Sequence, residues 1–331
     1  MLPRHRQLNE PFERAATAPW LRKYSVLEEK GWSEERIDAW RDGVGFRRAS
    51  NSLGPVGSEF EFVTLGNFDG TDPSDMLLRN SNTGDFQVFD ISDNQVIGST
   101  FMGNVGVESQ PLGFGFFGSV GTAGETDMLM RRSDGELEVY NIDDNQVVGS
   151  AFLGNVGVEN EFLGLGNFGS TGTSDMLTRN SNTGDLQVYN IRDNEVTGSD
   201  PLGNVGVEWQ FSGVGNFSSV PDESDLLLRN SITGDLQVYD ISNNEITSSA
   251  VIANIGLEWQ FAGVAPVLND TSSDLILRNV DTGDFQAYNI ADNQVTGSAP
   301  LGNVGVEWQV GGFAPIGFVA QPVQDPDLPR A

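Results

Sequence analysis

An all-β propeller of about five four-stranded blades, preceded by a short α-helical extension, is the fold this 331-residue sequence predicts. Two observations carry that expectation. From about residue 53 onward one unit is copied five times, with a sixth half-copy at the end. Each copy reads as four short strands separated by turn chemistry, and four strands in roughly 50 residues, repeated radially, mark a propeller blade. Charge supports the division into regions. Residues 1–52 hold ten of the 18 basic residues against eight acidic ones, while the remainder holds eight basic against thirty-nine acidic residues and no Lys or His.

The chain therefore divides into a helical N-terminal extension (1–52), a propeller (53–318) and a C-terminal tail (319–331). In the extension, Ser25-Val26-Leu27-Glu28 is a capping-box pattern before a short helix closed by Gly31. Ser33 can cap a second helix, with Ile37 and Trp40 on one face, that ends at Gly43. Pro11 to Lys23 is a third candidate. Trp20, Leu27, Trp32 and Trp40 supply apolar anchors, but fifty residues rarely make a stable core alone, so this segment is expected to pack on the propeller or a partner.

Within the repeats a marker Arg recurs at Arg79, Arg131, Arg179, Arg229 and Arg278, four positions after Asp75, Asp127, Asp175, Asp225 and Asp274. In the fourth unit Trp209 to Phe217 reads as a first strand and Asp225 to Asn230 as a second. Leu236 to Ile241 is the third, and Glu245 to Ser249 a shorter fourth. Thr233-Gly234-Asp235 joins the second and third, because Gly takes the positive φ a tight hairpin requires. Asn243-Asn244, like Asp93-Asn94 and Asp193-Asn194, suits a two-residue hairpin, since Asn and Asp tolerate the left-handed region. A parallel β-helix is the competing architecture, but its repeats are usually shorter and call for no antiparallel turns. The first-strand motif occurs six times, near Phe60, Gln110, Phe162, Phe211, Phe261 and Val310. Five blades fit whether they are framed from the first or the second strand, with one spare strand, at Phe60 or Trp308, to close or cover an edge.

The segment GNFDGTDPSDMLLRNSNTGDFQVFDI, Gly66 to Ile91, resembles the FG-GAP/VCBS repeat family, and the resemblance recurs five times over about residues 53–318. It implies a propeller and a calcium site in the loop between first and second strands. It narrows function little, because the family includes adhesion receptors, lectins and accessory domains of secreted proteins. The loop positions that would supply oxygen ligands are Asn67, Asp69, Thr71 and Asp75 in the first unit. The third unit keeps only Asn167 and Asp175, the second replaces the pattern with a longer Gly118 to Thr126 insertion, and units four and five have Ser218 and Leu268 where an acid is needed. Calcium at the first repeat is thus the one cofactor implied; the alternative is that Asp75 and its equivalents cap a turn.

Composition closes off other functions. A net charge of −29 repels phosphate backbones and anionic lipid, which puts nucleic-acid and membrane-surface binding last among the expected partners; no nucleic acid and no membrane insertion are expected. No run of about 18 apolar residues marks a membrane span, and the N-terminus lacks the apolar core of a secretory signal. With no Cys and a single His5, thiol nucleophiles, zinc ribbons and His-based triads drop out. What remains for an enzyme is a pair of carboxylates acting as acid and base, as in a glycosidase or lyase. A catalytic centre should break the repeat, and no unusual acidic pair does. The recurring Asp and Arg lie roughly 13 Å apart along a strand, too far to pair, so each Arg is expected to tie neighbouring blades through carbonyls or acids such as Glu208, with ligand contact as the alternative.

The residue before the repeated Gln varies, and three copies carry Trp209, Trp259 and Trp308 beside Glu208, Glu258 and Glu307. An indole offers a flat apolar face for a sugar ring with hydrogen-bonding groups alongside; the competing role is inter-blade core. The expectation is a non-enzymatic binding module, glycan-binding in the manner of a lectin or adhesin through repeated weak sites. A protein-binding or structural scaffold is the alternative. The family resemblance implies an extracellular or cell-surface location without a recognisable signal; a cytoplasmic one is the alternative.

Overall fold

A computed structural model describes residues 52–69, 75–92, 95–118, 126–221, 223–268 and 273–313. The helices expected in the extension, the tail 319–331, Thr71 and the Asp93-Asn94 turn lie outside the described residues. Every regular element among the described residues is a strand. Blade 1 comprises β1 (Phe60–Gly66), β2 (Asp75–Asn80), β3 (Asp85–Ser92) and β4 (Gln95–Asn104). Blade 2 comprises β5 (Ser109–Gly115), β6 (Asp127–Arg132), β7 (Glu136–Asp143) and β8 (Gln146–Asn155). Blade 3 has β9 (Asn160–Gly166), β10 (Asp175–Asn180), β11 (Asp185–Arg192) and β12 (Glu195–Asn204). Blade 4 has β13 (Trp209–Gly215), β14 (Asp225–Asn230), β15 (Asp235–Ser242) and β16 (Glu245–Asn254). Blade 5 has β17 (Trp259–Ala265), β18 (Asp274–Asn279), β19 (Asp284–Ala291) and β20 (Gln294–Asn303). Each is an antiparallel meander, so the fold is a five-bladed propeller framed from the first strand.

The burial follows the pattern of the sequence. The second strand of each blade is a nearly unbroken apolar run, as in Asp225-Leu226-Leu227-Leu228-Arg229, and is buried on both faces because blades stack on either side. The third strand alternates, with Leu236 and Val238 at 0% exposure between half-buried Gln237 and Tyr239. The cores lie between successive blades: Leu226, Leu228 and Ile241 pack on Leu177, Leu186 and Val188, and Leu275, Leu277 and Ile290 on Leu227, Leu236 and Val238. The fourth strand is ten residues long and not the short one expected. Two bulges, at Thr247 and Ile252, interrupt its pairing with β15 and with it the alternation that would have revealed its length.

Turn chemistry matches the expectation. Asn243 and Asn244 have φ of 50° and 60°, and Asp193 and Asn194 have 54° and 57°. Gly234 has φ +80°, and a Cβ there would meet the Ile255 carbonyl oxygen at 2.2 Å. That oxygen lies close because the turn docks on the linker to the next blade, where Ile255 N–H donates to Gly234 O. Asn230 Oδ1 accepts from the N–H groups of Ile232 and Thr233, and Asn254 Nδ2 donates to Thr233 O and Asp235 Oδ1. The same set recurs around Asn80, Asn180 and Asn279.

Inner strands of adjacent blades approach where glycine interrupts them. A Cβ on Gly164 would meet Val214 at 2.7 Å, and one on Gly263 would meet Phe313 at 2.4 Å. The spare strand expected at Trp308 pairs with no sheet among the described residues. Residues 308–313 instead lie against blade 5 through Phe313 and against Phe62 of β1 through Gly311 and Gly312, so the sixth half-copy bridges the last blade and the first.

Candidate cation site in the first blade

The Asp that opens every second strand is buried: 0% exposed at Asp75, Asp175, Asp225 and Asp274, 8% at Asp127. In blades 2, 3 and 5 it is satisfied locally. Asp127 accepts from the N–H groups of Phe117 and Ile142, and Asp175 from those of Gly169 and Ile191. Asp274 accepts from Leu268 N–H at 2.6 Å and from Asn289 Nδ2 at 3.0 Å. Each carboxylate thus fastens the loop after the first strand to the end of the third, the turn-capping role.

Blade 1 differs. Asp69 from the loop after β1, Asp75 at the start of β2 and Asp90 near the end of β3 bring carboxylate oxygens within 4.8 Å of one another. The pairing of Met76 with Phe89 sets Asp90 beside Asp75 across the sheet. Phe68 and Ile91 N–H face Asp75 as their counterparts do elsewhere, yet neither Asp75 oxygen has a partner within hydrogen-bond geometry. Burial and then the Asp69 charge push its carboxyl up to about 6, with a smaller contribution from Asp90. From blade 2, Asn145 donates its N–H to Phe68 O at 2.7 Å and its Nδ2 to Asp90 Oδ1 at 3.2 Å. Two acids converging on a buried third whose backbone donors stand off it suit a hard cation with oxygen ligands.

Of the four ligands expected from sequence, the structure brings Asp69 and Asp75 together. Asn67 opens the same loop, and Thr71 is outside the described residues. Sequence reading missed Asp90. Its signal was an exception in the repeat: the position is Asp90, Asn141, Asn190, Asp240 and Asn289 along the five units.

The marker arginines tie blades together. Arg229 Nη2 donates to Ile255 O at 2.8 Å and to Gly256 O, and Nη1 to Trp259 O. Arg131 makes the same three contacts with Val156, Gly157 and Asn160, and Arg278 with Val304, Gly305 and Trp308. Arg79 bonds Val105 O and Gly106 O, while Arg179 bonds Trp209 O and Glu161. The Trp positions divide. Trp209 and Trp259 are half-buried against the inter-blade cores, whereas Trp308 is 65% exposed. Glu208, Glu258 and Glu307 fold back over Gly206, Gly256 and Gly305, where a Cβ would meet each carboxylate at 2.3 Å. Glu258 also lies near Arg229.

No protein-family model matches the chain, and no curated protein matches it. Among solved structures it is similar to the calcium-binding protein regucalcin from Agrobacterium tumefaciens, at 12% identity and TM-score 0.43, over 71% of this chain and 73% of that one. Hsv2 from Kluyveromyces lactis follows at 10% identity and TM-score 0.38, over 74% and 65%. YCF48 from Cyanidioschyzon merolae matches at 9% identity and TM-score 0.38, over 68% of each chain.

Proposed function

We propose that the chain is a non-enzymatic binding propeller whose first blade takes a calcium ion. The observation that carries the reading is Asp75, fully buried with both carboxylate oxygens unpartnered and with Asp69 and Asp90 converging on it. Asp69, Asp75 and Asp90 would hold the ion, and its charge would offset three acids that repel one another. The reading agrees with the resemblance of Gly66 to Ile91 to FG-GAP/VCBS repeats. Sites built from a few carboxylates on extracellular modules commonly bind calcium at roughly 0.1–1 mM, which suits an extracellular or cell-surface protein. The recurring acids have turn-capping partners in blades 2, 3 and 5, and the acidic pair that does break the repeat, Asp75 with Asp90, is assigned to the ion.

With a dissociation constant near 0.1 mM, 5 mM calcium stabilises the fold by about 2 kcal/mol, a rise in thermal midpoint of about 5 °C for a domain of this size. Asp69→Ala and Asp90→Asn should each remove this site's share of the rise. An unchanged midpoint in the intact protein with calcium and with chelator would refute the site.

Glycan binding is the second reading, and Trp308 supports it: an exposed indole beside exposed Glu307 presents an apolar face with an acceptor next to it. Trp209 and Trp259 lend it less, because their rings contribute to the inter-blade cores.

A further inference from the structure

Blade 4 shares with blade 1 the exchange of Asn for Asp on the third strand, and the consequence is visible beside it. In blade 5 Asn289 Nδ2 donates to Asp274 Oδ1 at 3.0 Å, so the amide supplies the proton that joins the two side chains. Asp240 stands at that position in blade 4, where a carboxylate replaces the amide donor. Its Oδ2 accepts Asn293 Nδ2 from the blade 5 hairpin at 2.7 Å. Asp225 Oδ2 accepts the N–H groups of Phe217 and Ser218, both at 2.7 Å. That leaves Asp225 Oδ1, Asp240 Oδ1 and Asn293 Oδ1 buried with no hydrogen-bond partner. Asp225 is 0% and Asp240 7% exposed, and the Asp240 charge is close enough to act on Asp225.

Ionised, these three acceptors have no donor among themselves, and two buried carboxylates side by side are strongly unfavourable, so the pair must share a proton or take a cation. A water could donate to two of the oxygens but would leave both charges standing. The interface between blades 2 and 3 shows the neutral version: Asn194 leaves one buried Oδ1 there while its Nδ2 donates to Asn141, with no second acid opposite Asp127. We propose that the junction of blades 4 and 5 is a second cation site, taking calcium through Asp225, Asp240 and Asn293. The ion would clamp the two blades, since Asn293 belongs to the hairpin whose N–H already donates to Phe217 O at 3.0 Å. The site lacks an acid in the loop after the first strand, where Ser218 stands, so it does not depend on the loop pattern of blade 1.

The test is calcium titration of the full chain by calorimetry after chelator treatment, with Asp240→Asn and Asp90→Asn alongside. Two equivalents are expected for the intact protein, one for each variant and none for the pair combined, with circular dichroism unchanged. Asp240→Asn should fold well, because an amide there can donate to Asp225 as Asn289 does to Asp274; if it folds poorly, Asp225→Asn gives the same readout. One equivalent that Asp90→Asn abolishes and Asp240→Asn leaves would overturn this site and keep the first. One equivalent lost only in Asp240→Asn would support this site and remove the first. No binding at all overturns both.

Discussion

Arg229→Met removes a guanidinium that reaches three carbonyl oxygens, those of Ile255 and Gly256 in the linker and of Trp259 at the start of the next blade, while keeping most of the apolar stem. Arg229 is 8% exposed, so the carbonyls lose a donor that water replaces poorly. Charge-assisted hydrogen bonds contribute about 1.5–3 kcal/mol each, and losses at one clamp overlap, so a total near 4 kcal/mol is expected. Arg278 makes the same three contacts, with Val304, Gly305 and Trp308, but two of its bonds are exposed. Water can take over there, and Arg278→Met should cost about 1 kcal/mol. Urea unfolding followed by tryptophan fluorescence reads both as shifts in midpoint. The contrast is the informative quantity, because the two clamps share chemistry and differ in burial. Equal losses for the two variants, or a loss under about 1 kcal/mol for Arg229→Met, would refute the claim that burial gives the clamp its strength.

Metal-free protein should lose stability as pH rises. Asp75 has its carboxyl pushed up to about 6 from an ordinary value of 3.8, so the folded state holds that proton more tightly than the unfolded chain. Its contribution is present below about 4 and is lost as pH passes 6, of the order of 3 kcal/mol; thermal midpoints in chelator should show the decline and Asp75→Asn should make it shallower, with buried Asp175 and Asp225 supplying the remainder. A glycan array of the intact protein should give hits that Trp308→Ala removes, with Trp209→Ala and Trp259→Ala acting instead through stability; a blank array for the intact protein removes the glycan reading.

The blades, their number and their turns were legible because each rests on local rules. Thr233-Gly234-Asp235 and Asn243-Asn244 specify backbone conformations that almost any surroundings would respect. The length of β16 was hidden because bulges at Thr247 and Ile252 break the period that reading relies on. Asp90 was missed for a different reason. It reaches Asp75 across the sheet, and only the register of β2 with β3 shows that the two meet. Trp209 and Trp308 occupy the same place in the repeat, yet Trp209 packs on the inter-blade core and Trp308 is exposed at the sixth half-copy, a distinction no local pattern contains.

The acidity of the repeats gives these exceptions their force. Beyond residue 52 there are eight basic residues to thirty-nine acidic ones, and five of the eight are the clamp arginines, whose guanidinium groups are occupied chiefly by carbonyls. Buried acids in this region must therefore find neutral donors. Asp127 and Asp175 find backbone N–H groups, and Asp274 finds Leu268 N–H and the Asn289 amide. Where Asp90 and Asp240 replace that amide, the donor becomes an acceptor and the local charge doubles. The oxygens of Asp75, Asp225 and Asp240 that are left without partners lie at those two blades. On the proposals above, a single exchange of nitrogen for oxygen would turn a structural pair into a cation-binding one without altering the backbone that holds it, leaving three blades as scaffold and two for ions.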